Sequence, residues 1–129
     1  MKLNPDCIRD ILLSVEEATD GARTFRYGKE DNKHPHLAKY SHEEILYHVK
    51  QCDMSELIVN CHILTGGKFI LIGDLSPKGH EFLAAANNDN VWNRLKVAFE
   101  KVGVPTIGTM LQMAASIFED FVKSKMGLI

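Results

Sequence analysis

The chain has 129 residues, 45% of them hydrophobic and 25% charged, which are the proportions of one globular domain and exclude a disordered or fibrous chain. A formal net charge of −2 argues against a strongly electrostatic nucleic-acid or membrane binder. Three cysteines are too few, and odd in number, for a disulfide scaffold. No apolar run approaches the roughly 18 residues that span a bilayer, and Met1-Lys2-Leu3-Asn4-Pro5-Asp6 lacks the basic-then-apolar pattern of a signal peptide. A cytoplasmic protein with no membrane contact is expected.

Asn4 to Ala18 reads as an amphipathic helix. Asn4 is placed to accept first-turn amides, Pro5 sits where its missing donor costs nothing, and Asp6 complements the positive end of the dipole. Ile8, Ile11, Leu12 and Val15 recur at helical spacing as one core-facing stripe, and Asp20-Gly21 ends the element. Arg23-Thr24-Phe25-Arg26-Tyr27 alternates as a short strand, and 28–36 is a polar loop broken by Pro35. Between Ala22 and Lys39, Arg23, Arg26, Lys29, Lys33 and Lys39 outnumber Glu30 and Asp31; this is the one clearly basic stretch of the chain.

A second helix begins at Ser41, where Ser41 and Glu44 form a capping box in which each side chain satisfies a backbone donor near the other. Ile45, Leu46, Val49 and Cys52 supply its apolar stripe, and His42, Glu43, Tyr47, Lys50 and Gln51 its polar face. Two β-prone runs follow, Leu57 to Leu64 and Lys68 to Leu75, joined as a hairpin through Thr65-Gly66-Gly67, because glycine takes positive φ without strain. Ile58, Asn60 and His62 alternate with Val59, Cys61 and Ile63, which predicts one apolar and one mixed face.

Ser76-Pro77 opens a third helix anchored by Phe82 and Leu83, and 87–90 (Asn-Asn-Asp-Asn) interrupts it. A fourth helix from about Val91 to Val102 buries Val91, Trp92, Leu95 and Phe99, and Gly103 and Pro105 break it. The last runs from Thr106 to about Lys125. Its apolar stripe of Ile107, Met110, Leu111, Ala114, Ile117, Phe118, Phe121 and Val122 has coiled-coil-like spacing and must be buried, on the domain itself or on a second subunit.

Helix, short strand, helix, hairpin, helix is the order of a winged helix, an α+β arrangement in which helices cover one face of a small antiparallel sheet. The segment from Asp74 through Ser76-Pro77-Lys78-Gly79 to Phe82-Leu83 resembles the junction that closes the wing in winged-helix regulators. Ser41-x-x-Glu44-Ile45-x-Tyr47-His48-Val49-Lys50 followed by Leu57-Ile58 resembles a recognition helix and first wing strand. With Asn4-Pro5-Asp6 and Val91-Trp92-Asn93, the chain over about residues 3–95 is similar to a family of small bacterial and phage proteins described as a domain of unknown function.

The resemblance implies a winged-helix-like domain at 1–90. The C-terminal helical extension at 91–129, whose apolar stripe folds back or meets a second copy, is expected to serve for dimerisation through Ile107, Met110, Leu111, Ala114, Ile117, Phe118 and Phe121. The place of the usual middle helix is held by 34–40, long enough only for a turn. Glu56 stands where relatives commonly carry a helix-ending glycine. A left-handed cap suits Glu56 poorly, so the helix is expected to run on or end differently.

A winged helix implies DNA binding, with His42, Tyr47, Lys50 and Gln51 on the recognition helix, Lys68 at the wing, and Arg23 and Arg26 in the basic stretch. Against this stands charge: from Ser41 to Met54 one lysine, Lys50, faces Glu43, Glu44 and Asp53, and phosphate contacts supply most nonspecific affinity. His48 and Cys52 at i and i+4 share a helical face, as two zinc ligands do, but neither Cys-x-x-Cys nor His-Glu-x-x-His occurs. A buried cysteine beside a half-exposed histidine is the favoured reading, so no metal and no cofactor are expected.

Cys7, Cys52 and Cys61 lie in apolar patterns that suppress thiolate chemistry, and Thr65-Gly66-Gly67-Lys68 lacks P-loop spacing. His80 reads as a helix-start packing residue, and no catalytic residue is assigned. The expected protein is a non-enzymatic regulator that binds DNA weakly as a homodimer. The alternative is a winged-helix module that binds a host or phage protein without DNA.

Overall fold

A computed structural model describes residues 1–103 and 106–127. The chain is α+β, with five α-helices and small antiparallel sheets among the described residues, and divides into two compact units, Met1–His80 and Glu81–Ile129. The division falls inside the third helix, earlier than the boundary at residue 90 expected from the sequence.

In the first unit, α1 (Pro5–Ala18) begins as expected, Asn4 Oδ1 accepting the Asp6 amide at 3.0 Å. Cys7, Ile8, Ile11, Leu12 and Val15 are fully buried. After β1 (Phe25–Gly28), Pro35–Leu37 forms a single 3₁₀ turn that packs on α1 through the buried Leu37, in the place of a middle helix. The next helix, α2 (His42–Met54), carries both hydrogen bonds of the predicted capping box, each 3.1 Å long.

Glu56 corrects the expectation for the end of α2. The helix stops at Met54 with Glu56 left-handed (φ 61), its amide bonded to Asp53 O at 3.0 Å and the Leu57 amide to Cys52 O at 2.9 Å. That pair of bonds is a Schellman cap, made here without glycine.

The hairpin is present, but broken in the middle. Its arms are β2 (Ile58–Val59) and β3 (His62–Leu64), then β4 (Phe69–Ile72) and β5 (Asp74–Leu75). β2 pairs with β5, while β3 pairs with β4, which also pairs with β1, giving a sheet of order β1-β4-β3. The register is continuous across the gap, with Val59 opposite Asp74 and His62 opposite Leu71. Asn60 is left-handed (φ 54), and a Cβ on Gly73 would stand 2.9 Å from that of Asn60.

The kink reverses which side chains face inward, so the expected single apolar face is not formed. Ile58 is buried and Val59 exposed, whereas beyond Asn60 it is Cys61 and Ile63 that turn partly inward. The connecting loop takes three positive-φ residues, because Thr65 (φ 53) joins Gly66 and Gly67.

α3 (Pro77–Ala86) starts against the end of α2. Ser76 Oγ donates to Glu56 O at 2.6 Å and accepts from the Gly79 amide at 3.0 Å, while the Ser76 amide donates to Leu57 O at 3.0 Å. Any Cβ on Gly79 would collide with the Leu57 carbonyl oxygen, so the junction requires glycine there.

In the second unit, Phe82, Leu83, Ala85 and Ala86 of α3 are buried. Asn88 caps α4 (Asp89–Val102) by accepting the Val91 amide at 3.1 Å, which starts the helix two residues before Val91. Val91, Trp92, Leu95 and Phe99 are buried as expected, and Gly103 (φ 83) ends the element; Pro105 lies outside the described residues. α5 (Ile107–Lys125), capped by Thr106, packs on α4.

Candidate nucleic-acid interface

The basic stretch and the hairpin meet at one end of the sheet. The antiparallel pairing of β1 with β4 sets Gly28 opposite Phe69, and one step further the Lys29 amide donates to Lys68 O at 2.8 Å. Two lysines distant in sequence therefore leave the sheet side by side. Arg26 lies on β1 two residues back, exposed, and its guanidinium has no partner among the described residues. Lys33 is exposed with its Nζ 3.5 Å from Asp31. The hairpin loop rests on α2, since a Cβ on Gly67 would stand 2.9 Å from Leu46 Cδ2. Lys50 is exposed, one helical turn beyond Leu46.

Not all the expected residues join this cluster. Arg23 precedes β1, at the far end of the strand from Lys68, and its Nε is held by Asp20 Oδ2 at 2.7 Å. The Arg23 and Ala22 amides and the Arg23 side chain lower the Asp20 pKa, so this exposed pair is formed at neutral pH. His42 is occupied too. Its ring stacks on Tyr27 with centroids 5.7 Å apart, and Nδ1 shares a 2.9 Å hydrogen bond with the Tyr27 hydroxyl, which ties the start of α2 to β1. Tyr47 sets its ring edge-on to His48 at 4.9 Å and is half-buried, as is Gln51. Lys68 is brought beside Lys29, and Arg26 lines one cleft with Lys33, two lysines that had no assigned role, whereas Lys50 lies on α2, whose His42 meets Tyr27 on the sheet face opposite to Arg26. The 29–68 contact depends on strand pairing, so no local motif announces it.

His34, His36 and His48 are structural ties, while His62 is exposed on β3. His34 Nε2 donates to Arg26 O at 2.6 Å while its ring stacks on Phe25, and His36 bonds Glu17 at 2.7 Å. His80 lies 3.8 Å from Asp74. His48 is buried, 1% exposed, and not half-exposed as the sequence suggested. Its Nδ1 donates to Glu44 O at 2.7 Å and its Nε2 accepts the Asn4 amide at 2.8 Å. Both nitrogens are engaged, and the imidazole is held neutral with its pKa lowered by burial.

Among the described residues no group of three or more His, Cys, Asp or Glu is arranged to hold a metal. Burial pushes the Cys7 thiol up to about 12 and Cys61 to about 11, and raises Cys52 further, so all three are protonated at neutral pH.

The proposed dimer residues divide into two groups. Ile107, Met110 and Ala114 are buried within the single chain, so they are not available to a partner. Leu111, Ile117, Phe118 and Phe121 remain half-exposed, and Met126 is 66% exposed. No described helix is long and apolar enough to cross a membrane.

Residues 2–105 match the family model described as Hypothetical protein (DUF2513). The chain belongs to the DUF2513 family. It is also 28% identical over 119 residues to a protein of Haemophilus influenzae (strain ATCC 51907 / DSM 11121 / KW20 / Rd) described as uncharacterized, an alignment covering 91% of this chain and 95% of that one. No solved structure matches the chain.

Proposed function

We propose that this DUF2513 protein is a non-enzymatic winged-helix protein that binds DNA weakly and regulates as a homodimer. Supporting the winged-helix reading is the order α1, β1, short turn, α2, hairpin, with β1 paired to the second hairpin strand and α2 directly before the hairpin. The observation that carries the DNA reading is the Lys29–Lys68 juxtaposition, with the exposed Arg26 on the strand that Lys29 follows. Phosphate attraction then comes from the strand end, because the exposed face of α2 carries Glu43 and Asp53 as well as Lys50.

For the dimer, the half-exposed Ile117, Phe118, Phe121 and Val122 supply an apolar seam on α5. Glu119 and Asp120 precede Lys123 and Lys125, so two copies packed antiparallel about residues 121–122 set acidic against basic positions.

An anisotropy titration on duplex DNA at two salt concentrations tests the reading. The double variant Lys29→Glu/Lys68→Glu is expected to weaken binding roughly tenfold or more and to flatten the salt slope. Binding that ignores both reversals removes these lysines from the site. In light scattering, Phe118→Asp is expected to halve the particle mass. The exposed Met54 and Val59, with Glu43 and Asp53 nearby in the chain, favour the second reading, a protein-binding module, which stands if no duplex is bound at low salt.

A further inference from the structure

The sheet β1-β4-β3 has an inner face of Phe25, Tyr27, Ile70 and Ile72, all buried. Its outer face is left open. One row across it is Gly28, Phe69 and Leu64; the next is Arg26, Leu71 and His62. Phe69 is 50% exposed, the one aromatic among the strongly exposed large apolar side chains of the described residues, and Leu64 is 45% exposed. Its ring lies across Gly28: a Cβ at that glycine would stand 3.4 Å and 3.5 Å from two ring carbons. The Phe69 ring therefore packs at contact distance over Gly28. Around it a cleft of about 500 Å³ is lined by Arg26, Tyr27, Leu64 and Leu71 as well as Phe69 and Gly28, with Lys33 and Asp31, paired at 3.5 Å, at its side.

An exposed ring carries an apolar cost that a ligand's flat face removes, and Arg26, the cation of the lining that pairs with no carboxylate among the described residues, selects for negative charge, while Lys33 shares its charge with Asp31. Arg26 is a diagonal neighbour of Phe69 on the same face, about 7–8 Å away at the strand level, within reach of a phosphate whose base lies on the ring. An acidic peptide would satisfy the charge but would need main-chain pairing for affinity. The two edges of this sheet, β3 and β1, are only three and four residues long, and on β1 the Arg26 carbonyl already accepts from His34, so both are short ladders for strand addition.

We propose that the outer face of this sheet is a stacking platform for single-stranded nucleic acid, with Phe69 under a base and Arg26 and Lys33 at the phosphates. The proposal rests on the nucleic-acid reading above and narrows it, since a base inside a duplex does not present its face to Phe69.

The test is fluorescence anisotropy on the full chain with labelled oligo-dT, with a blunt duplex of the same length, and with polyglutamate as competitor. Phe69→Leu keeps the apolar cover over Gly28 and removes the π-face. It is expected to weaken oligo-dT binding about tenfold and to leave duplex binding within about twofold, one stacked base being worth roughly 1–3 kcal/mol. Phe69→Tyr is expected to restore affinity, and Arg26→Ala to lower the salt slope by about one. Equal oligo-dT affinity for Phe69→Leu and the parent chain overturns the platform. Duplex binding without oligo-dT binding overturns it too, but leaves the DNA reading standing. Polyglutamate binding with neither nucleic acid bound sinks both, in favour of an acidic peptide.

Discussion

The two units of this chain are held together by different means. In Met1–His80, segments far apart in sequence are tied by polar groups buried among apolar ones. Asp10 accepts from the Tyr40 hydroxyl at 2.6 Å and pairs with Lys39 at 3.2 Å, His48 bridges Asn4 and Glu44, and Ser76 joins Glu56 to Gly79. No buried side-chain nitrogen or oxygen among the described residues lacks a partner. In the second unit, the side chains buried on α4 and α5 are Val91, Trp92, Leu95, Phe99, Ile107, Met110 and Ala114, an apolar seam, and Asn88 and Thr106 cap the two helices. A core made of directional ties accepts one geometry. A core made of an apolar seam tolerates exchange of side chains and of partners, which suits a helix whose outer half is still uncovered.

The largest expected effect tests the first kind of core at its tightest point. Gly79→Ala drives a Cβ into the Leu57 carbonyl, backbone against backbone with no flexible side chain to give way. A loss of at least about 3 kcal/mol in urea unfolding is expected. In the second unit, Ala85→Gly removes a buried methyl without breaking a tie and should cost about 1 kcal/mol. Equal costs would erase the contrast. Tyr40→Phe comes next. It removes a hydrogen bond to a buried carboxylate and leaves Asp10 with only the exposed Lys39, an expected loss of about 2 kcal/mol. An unfolding midpoint unchanged by Tyr40→Phe shows that the tie contributes nothing.

What the sequence revealed follows the same division. Helix starts depend on residues two or three apart, so Asn4, Ser41 and Ser76 were readable as caps before any tertiary contact was known. So was the apolar stripe of α4. The kink at Asn60 and Gly73 was hidden, because alternation predicts a face only while the strand stays regular. The tie from His48 to Asn4 spans 44 positions and leaves no periodic signal. The same limit applied at the candidate site: Lys68 and Arg26 could be suspected from charge and element order, whereas Lys29 enters as the neighbour of Lys68 only through the β1–β4 register. Arg23 looked equivalent to Arg26 in the sequence, and Asp20 decides otherwise.

Glu56 shows how strongly the junction imposes its geometry on α2. A residue with a Cβ is held left-handed there because the Glu56 carbonyl accepts from Ser76 and the Leu57 carbonyl lies over Gly79. Glu56→Gly keeps every one of those bonds and removes the steric penalty, so a gain of about 1 kcal/mol is expected. A loss of stability with Glu56→Gly would mean that the glutamate side chain makes up for its own strain.

The smallest effect separates the units by pH. Burial favours the neutral imidazole of His48, so its folded pKa lies below the ordinary 6.5 and the unfolded chain binds the proton first. The stability this provides is complete above about pH 6.5 and is lost as pH falls from there toward the lowered folded value. Protonation also turns Nε2 into a donor facing the Asn4 amide, which breaks that tie. Hydrogen exchange at β4 amides reports on the first unit, and the fluorescence of Trp92, the sole tryptophan, reports on the second. Lowering the pH through this range is expected to speed exchange in β4 while leaving the Trp92 emission in place, and His48→Gln should remove the pH dependence. If both probes respond together and ignore the substitution, His48 is not the group through which acid loosens the fold.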